Sequence, residues 1–313
     1  MAVTLCLLLF DGNSLAAVNQ NQLAKFVDQI LNEYTPSYTS SNGGRTNPMF
    51  SLAVTIPYNE RKKIYDISQV TGDGDRVRRK ILHCDVYAGT RVVAATVLRW
   101  PNVVDQCPDG YVQWGDVLSQ CPRGVKTWAD VKQMCPDKVW EGRADHAEYR
   151  TLQGINTLFR TFKKKDLLLF YIFASPCDQR CTSESSDLSI LNSIKVIRKW
   201  TNYAVVFSNI FQLRGNPIPD DALRGSLERL AGSVGLSNIF RCNRQGAMQC
   251  TSCDSGGEVA RYCFSENSQP SHTKPQQCVS TNAGSSRGGR HSGRGNVRKG
   301  GKRSQNVGKK RWG

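Results

Sequence analysis

One imidazole, one carboxylate and two thiols fall in two short clusters of this chain, Asp145-His146-Ala147-Glu148 and Ser175-Pro176-Cys177-Asp178-Gln179-Arg180-Cys181. Three soft donors from this set, His146, Cys177 and Cys181, can hold Zn2+ tetrahedrally and leave the fourth position to water. The carboxylate left over, Glu148, can then move protons to and from that water as the catalytic acid and base.

These groups need elements to position them. Tyr149, Leu152, Ile155, Leu158 and Phe159 recur at helical spacing, which predicts a helix with His146 and Glu148 in its first turn and Ala144 or Asp145 near the cap. Leu167 to Ala174 is an unbroken apolar run of strand length that delivers the chain to the cysteines. If Pro176 opens a second helix, Cys177 and Cys181 share one face and the positive end of the dipole lowers their thiol pKa. Two cysteines in a cysteine-rich exported chain have a competing use as disulfide partners.

The order H-A-E then P-C-x3-C resembles the zinc-dependent nucleobase deaminases, whose signature is H-x-E with a later P-C-x-x-C. The intervening residues 149–175 suit that family, although the cysteines stand one residue further apart than the signature. Phe173-Ala174-Ser175-Pro176-Cys177 is similar to the serine-proline-cysteine turn of the AID/APOBEC cytidine deaminases. With its leader-like start, the chain most resembles the secreted AID/APOBEC-like cytidine deaminases of vertebrates, over about residues 140–215. The resemblance implies an α/β, cytidine-deaminase-like three-layer fold, a mixed β-sheet flanked by helices. It also implies zinc on His146, Cys177 and Cys181, with Glu148 as proton carrier. The backbone around Ser175 would meet the exocyclic amino group of a cytosine and Phe173 would shape the pocket wall, burial in the strand core being the other fate open to Phe173. In the loop after the following strand, Phe211 would stack and Arg214 would contact phosphate.

Both ends of the chain suggest export and polyanions. Residues 1–17 read as a signal peptide, an apolar run followed by Ser14-Leu15-Ala16, with a buried N-terminal strand as the alternative. The run is too short to span a bilayer, and no later one reaches that length. Of the 12 cysteines, Cys6 would leave with the signal. Besides the zinc pair there remain Cys84, Cys107, Cys121, Cys135, Cys242, Cys250, Cys253, Cys263 and Cys278, enough for four disulfides and one odd thiol. Cys84, in a strand-like run, is the candidate for the odd one. The net charge is +16, and residues 267–313 contain no acid. Lys274, Arg287, Arg290, Arg294, Arg298, Lys299, Lys302, Arg303, Lys309, Lys310 and Arg311 make this Gly/Arg/Lys-rich segment a disordered basic C-terminal tail. Single-stranded nucleic acid is its expected partner, other polyanions are possible ones, and a purely solubilising tail is the alternative.

Between the ends, residues 18–45 comprise a helix over 20–34 and a linker, and residues 46–266 the deaminase-like domain. Expected strands are Phe50 to Pro57, Lys80 to Ala88, Arg91 to Arg99 and Asn202 to Phe211, with a helix from Asp221 to Ala231. A Cys-rich insertion, 104–140, repeats every fourteen residues at Cys107, Cys121 and Cys135, with Trp114 in register with Trp128. It reads as a disulfide-clamped appendage whose tryptophans pack together, base stacking being their other use. Lys163, Lys164 and Lys165 either line a phosphate path or form a solvated charge run.

Three functions compete. The first is a secreted zinc-dependent cytidine deaminase converting cytosine to uracil in single-stranded DNA or RNA, in antiviral or antimicrobial defence. The second acts on a free nucleoside or another base. The third is a secreted cationic nucleic-acid or surface-binding protein on an inactive deaminase scaffold, against which the intact Glu148 argues.

Overall fold

The computed structural model describes residues 19–70, 73–213, 215–266 and 268. The leader over residues 1–17 with Cys6, Arg214, Cys278 and the basic tail from Lys274 through Arg287 to Arg311 lie outside the described residues.

Leu23, Phe26, Val27 and Ile30 recur on one side of α1 (Gln20–Tyr34), whose first turn is capped by the Asn19 side chain accepting from the Gln22 amide at 2.8 Å. That apolar side packs on a seven-stranded sheet. In chain order the strands are β1 (Phe50–Ile56), β2 (Tyr87–Ala88), β3 (Val92–Thr96), β4 (Leu167–Ala174), β5 (Asn202–Asn209), β6 (Ile239–Gln245) and β7 (Ala247–Ser252). Their spatial order is β7-β6-β5-β4-β1-β3-β2. The β4–β5 and β5–β6 pairs are parallel and the others antiparallel, so the sheet is mixed.

The central strands are apolar without alternation because both of their faces are covered. Leu167, Leu169 and Tyr171 turn towards α1 and α2 (Gly74–Leu82), joining Val27, Ile30, Val77 and Ile81. Leu168, Phe170 and Ile172 turn the other way. In chain order the remaining helices are α3 (Asn102–Gln106), α4 (Gly115–Gln120), α5 (Trp128–Met134), α6 (Ala147–Gly154) and α7 (Asp220–Val234). The second face is covered by α6, α7 and the 3-10 segments Ile155–Thr161 and Ser193–Lys199, through Leu152, Ile155, Ile194, Leu227 and Leu230. The result is a three-layer, deaminase-like α/β fold.

The insertion builds its own small core. Trp128 is fully buried, Trp114 nearly so, and their rings meet edge to face at 4.8 Å between centroids. The tryptophans therefore pack rather than offer a stacking platform. Cys121–Cys135 closes one repeat, while Cys84–Cys107 staples the insertion to the end of α2. Where the insertion leaves and returns, Leu98–Arg99 pairs antiparallel with Ala144–Asp145. This short ribbon sets where the next helix begins.

Two expectations fail here for identifiable reasons. Lys80 to Ala88 is not a strand: Asp73 caps a helix by accepting from the Asp75 and Arg76 amides, and Val77 and Ile81, one turn apart, bury its single apolar stripe. Only Tyr87–Ala88 pairs with the sheet. Cys84 is not the odd thiol, since it leaves α2 in a left-handed turn (φ 61°) and bonds to Cys107. Cys242–Cys250 joins directly opposed positions of the β6–β7 hairpin and Cys253–Cys263 follows it, making four disulfides among the described residues. None of the described helices is long and apolar enough to cross a membrane.

Gly154 closes α6 against β3, where an added Cβ would lie 2.9 Å from Val93 Cγ1 and 3.1 Å from Val86 Cγ1. Overpacking of this kind costs ~1–3 kcal/mol, so Gly154→Ala is expected to lower the unfolding free energy by that amount in a denaturant titration.

Candidate metal centre and active site

The centre forms where β4 ends and α6 begins. His146 is the N-cap residue of α6, with extended backbone, so its ring leaves the helix axis while Glu148 stays in the first turn. From β4 the chain runs through buried Ser175 into a turn carrying both cysteines. His146 Nδ1 lies 2.9 Å from Cys181 Sγ and 3.6 Å from Cys177 Sγ, and the two sulfurs are 3.3 Å apart. One ligand atom from each residue thus sits within 4.8 Å of the others. Glu148 is buried with Oε1 3.9 Å from His146 Nδ1.

No second helix follows Pro176. The Thr182 amide returns to the Cys177 carbonyl and the Ile190 amide to the Cys181 carbonyl, folding the segment into a loop. Helix α7 fixes that loop: Ser226 donates its hydroxyl to the Pro176 carbonyl at 2.6 Å, and Arg229 Nε donates to the Thr182 carbonyl at 2.7 Å. The thiol chemistry accordingly owes nothing to a helix begun at Pro176. A hydrogen bond from the Cys181 thiol, helped by His146 and opposed by burial, draws the Cys177 thiol down to about 5. Burial and the negative Cys177 and Glu148 push the Cys181 thiol upward. Burial would keep His146 neutral, but Cys177 and Glu148 overcome it and lift the imidazole to about 10. Burial likewise opposes ionisation of Glu148, and the neighbouring His146 outweighs it and holds the carboxyl below its ordinary value.

This donor set fits a tetrahedral metal. Zinc bonds of about 2.3 Å to sulfur and 2.0 Å to nitrogen imply tetrahedron edges of roughly 3.5–3.8 Å; the His146–Cys177 edge already has that length, and the His146–Cys181 and Cys177–Cys181 edges would each open by about half an ångström. Both sulfurs and the imidazole converge without a disulfide, Cys177 and Cys181 being free thiols.

Around the centre, Ser175 donates its amide to the Asn209 carbonyl at 2.8 Å and accepts the Phe211 amide on its hydroxyl at 3.0 Å. That bond brings the Phe211 ring to 6.0 Å from the His146 ring. Phe173 does not join them. By strand alternation it packs with Phe50, ring centroids 6.2 Å apart, on the sheet face covered by α1. Lys163, Lys164 and Lys165 precede the opposite end of β4 and line no approach to the centre.

Sequence reasoning missed the residues that orient α6. Arg150 is buried and donates to the Thr96 carbonyl, to the Cys84 carbonyl at 2.6 Å and to Gln113 Oε1 at 3.1 Å, tying α6 to β3 and the insertion. Burial lowers its pKa to about 10, still leaving it charged at neutral pH. Trp114 Nε1 donates to Asp145 Oδ2 at 2.9 Å, directly before His146. The available signal was a single arginine one turn after His146 on a helix otherwise read by its apolar positions.

Residues 130–267 match the family model Secreted Novel AID/APOBEC-like Deaminase 1. Over this segment, which is less than half of the chain, the sequence is similar to the AID/APOBEC-like deaminases. No curated protein and no solved structure matches the chain. The match spans α6, both cysteines, α7 and the β6–β7 hairpin, so every residue of this deaminase-like centre falls inside it.

A metal takes neutral imidazole and deprotonated thiols. Near pH 7 its uptake must therefore expel one proton from His146 and one from Cys181, Cys177 being already ionised. Apparent Zn2+ affinity is expected to fall about a hundredfold for each unit the pH drops between roughly 9 and 6, measured by chelator competition.

Proposed function

We propose that this protein is an exported zinc-dependent cytidine deaminase that converts cytosine to uracil in single-stranded nucleic acid, in a defensive role. The observation that carries the reading is the convergence of His146, Cys177 and Cys181 with Glu148 buried beside them, inside the segment that matches the deaminase family. Export is supported by the family's printed name, by four disulfides and by the leader-like start.

His146 Nδ1 and the two cysteine sulfurs would hold the zinc, which supplies the Lewis acidity that makes water nucleophilic near neutral pH. Glu148 is the base for that water. Its carboxylate takes the proton released as oxygen bonds to C4 of cytosine and passes it to ring N3. It then takes the remaining proton from the new C4 hydroxyl and gives it to the exocyclic nitrogen as the C4–N bond breaks, so cytosine and water give uracil, with its C4 carbonyl, and ammonia. Burial excludes bulk water from this proton path, and Phe211, anchored through Ser175, offers an aromatic wall beside His146.

Glu148→Gln keeps size and polarity but removes the base. The variant is expected to retain one zinc per chain by elemental mass spectrometry while cytosine-to-uracil conversion in a single-stranded oligonucleotide falls by about 10²–10⁴-fold. Equal activity in both proteins would overturn the mechanism, and conversion of free cytidine alone would move the substrate to nucleosides.

A further inference from the structure

The end of the sheet opposite the metal centre gathers exposed cations from three separate connections. The turn after β1 contributes Arg61, Lys62 and Lys63, and the segment before β4 contributes Lys163, Lys164 and Lys165. Arg198 and Lys199 come from the 3-10 segment before β5. Two contacts bring the three together: Lys165 Nζ lies 2.9 Å from Glu60 Oε1, and the Thr201 amide donates to the Lys164 carbonyl at 2.9 Å.

Acids here do not balance them. Asp166 is buried and consumed by Arg91 at 2.7 Å, which leaves Glu60 and Asp66 against the eight exposed cations. Lys163, Lys164 and Arg198 form no ion pair among the described residues. Beside them Phe162 remains 37 % exposed, steadied by an edge-to-face contact with Trp200 at 5.0 Å. Like charges crowded without counter-charges repel, and a bound polyanion relieves that repulsion while releasing its own counterions.

We propose that this surface binds the backbone of a single-stranded polynucleotide as a second site, separate from the metal centre by the length of β4, about 25 Å. Lysines meet phosphates, and Phe162 provides a face on which a base stacks, a combination that favours a polynucleotide over a sulfated glycan. The surface stands apart from the deaminase reading, because it uses none of the residues at the centre. It would hold a long strand irrespective of which nucleotide reaches Glu148.

The test is the salt dependence of binding by the full chain to a labelled single-stranded oligonucleotide, followed by anisotropy. Each lost phosphate contact reduces the slope of log K against log salt by about 0.7. The triple variant Lys163→Gln, Lys164→Gln, Arg198→Gln is expected to be shallower by about 2, whereas Arg76→Gln, Arg79→Gln, Arg123→Gln, which removes equal charge from exposed positions elsewhere, keeps the parent slope. Should a triple variant melt early, its single variants replace it, each patch substitution lowering the slope by about 0.7. Equal slopes in the two triple variants, or weakened heparin binding with unchanged oligonucleotide binding, would overturn the proposal. The Glu148→Gln protein should bind as the parent does, so loss of deamination and loss of this site are separately visible.

Discussion

The arrangement depends on keeping two sulfurs, an imidazole and a carboxylate together in a buried space. Left to themselves, Cys177, Cys181 and Glu148 would crowd negative charge around a single His146. Burial makes such crowding more expensive, because the low dielectric strengthens repulsion and removes hydration. The protein meets it by sharing protons: Cys177 ionises, Cys181 retains its hydrogen and His146 becomes cationic. A divalent metal held by this set would replace those protons with a more concentrated charge, so that metal loading and proton release would be one event.

Holding that cluster requires rigid supports on each side, and they come from different parts of the chain. The cysteine turn is neither helix nor strand, so Ser226 and Arg229 of α7 satisfy the carbonyls it leaves open. The histidine side is held by the insertion, which reads at first as an appendage. Its edge ribbon, the Trp114–Asp145 bond and the Arg150–Gln113 contact fix the start and the roll of α6. Cys84–Cys107 then prevents the insertion from drifting away from β3 and α2. The disulfide-clamped segment therefore serves the site mechanically, through residues that are not among the three candidate ligands.

Chemistry and charge also separate along the sheet. Parallel β4 and β5 point their C-terminal ends at the metal centre, where loops can converge without blocking the strands. Their N-terminal ends collect the unbalanced cations. Under the proposed function, such an axis would let one face of the molecule carry out a local reaction while the other contributes long-range attraction.

Much of this was legible in the order of residues. The strand at Leu167 to Ala174, the helix at Gln20 to Tyr34 and the helix after His146 follow from apolar periodicity, and the H-A-E and P-C-x3-C spacing picks out the three residues that come together as a set able to hold a metal. Those features are local, and local patterns survive translation into structure. What failed or was missed depends on contacts made across the chain. Pro176 opens a loop because α7, some fifty residues on, supplies hydrogen bonds that a helix would have supplied itself. Phe173 faces away from the centre because strand alternation, not proximity in sequence to Cys177, sets its side. Cys84 finds Cys107 only after α2 and the insertion are packed together. The sequence by itself determined which atoms can bind a metal and move a proton; the tertiary structure decided which distant carbonyls, amides and rings hold those atoms in place, because such contacts have no periodicity to read.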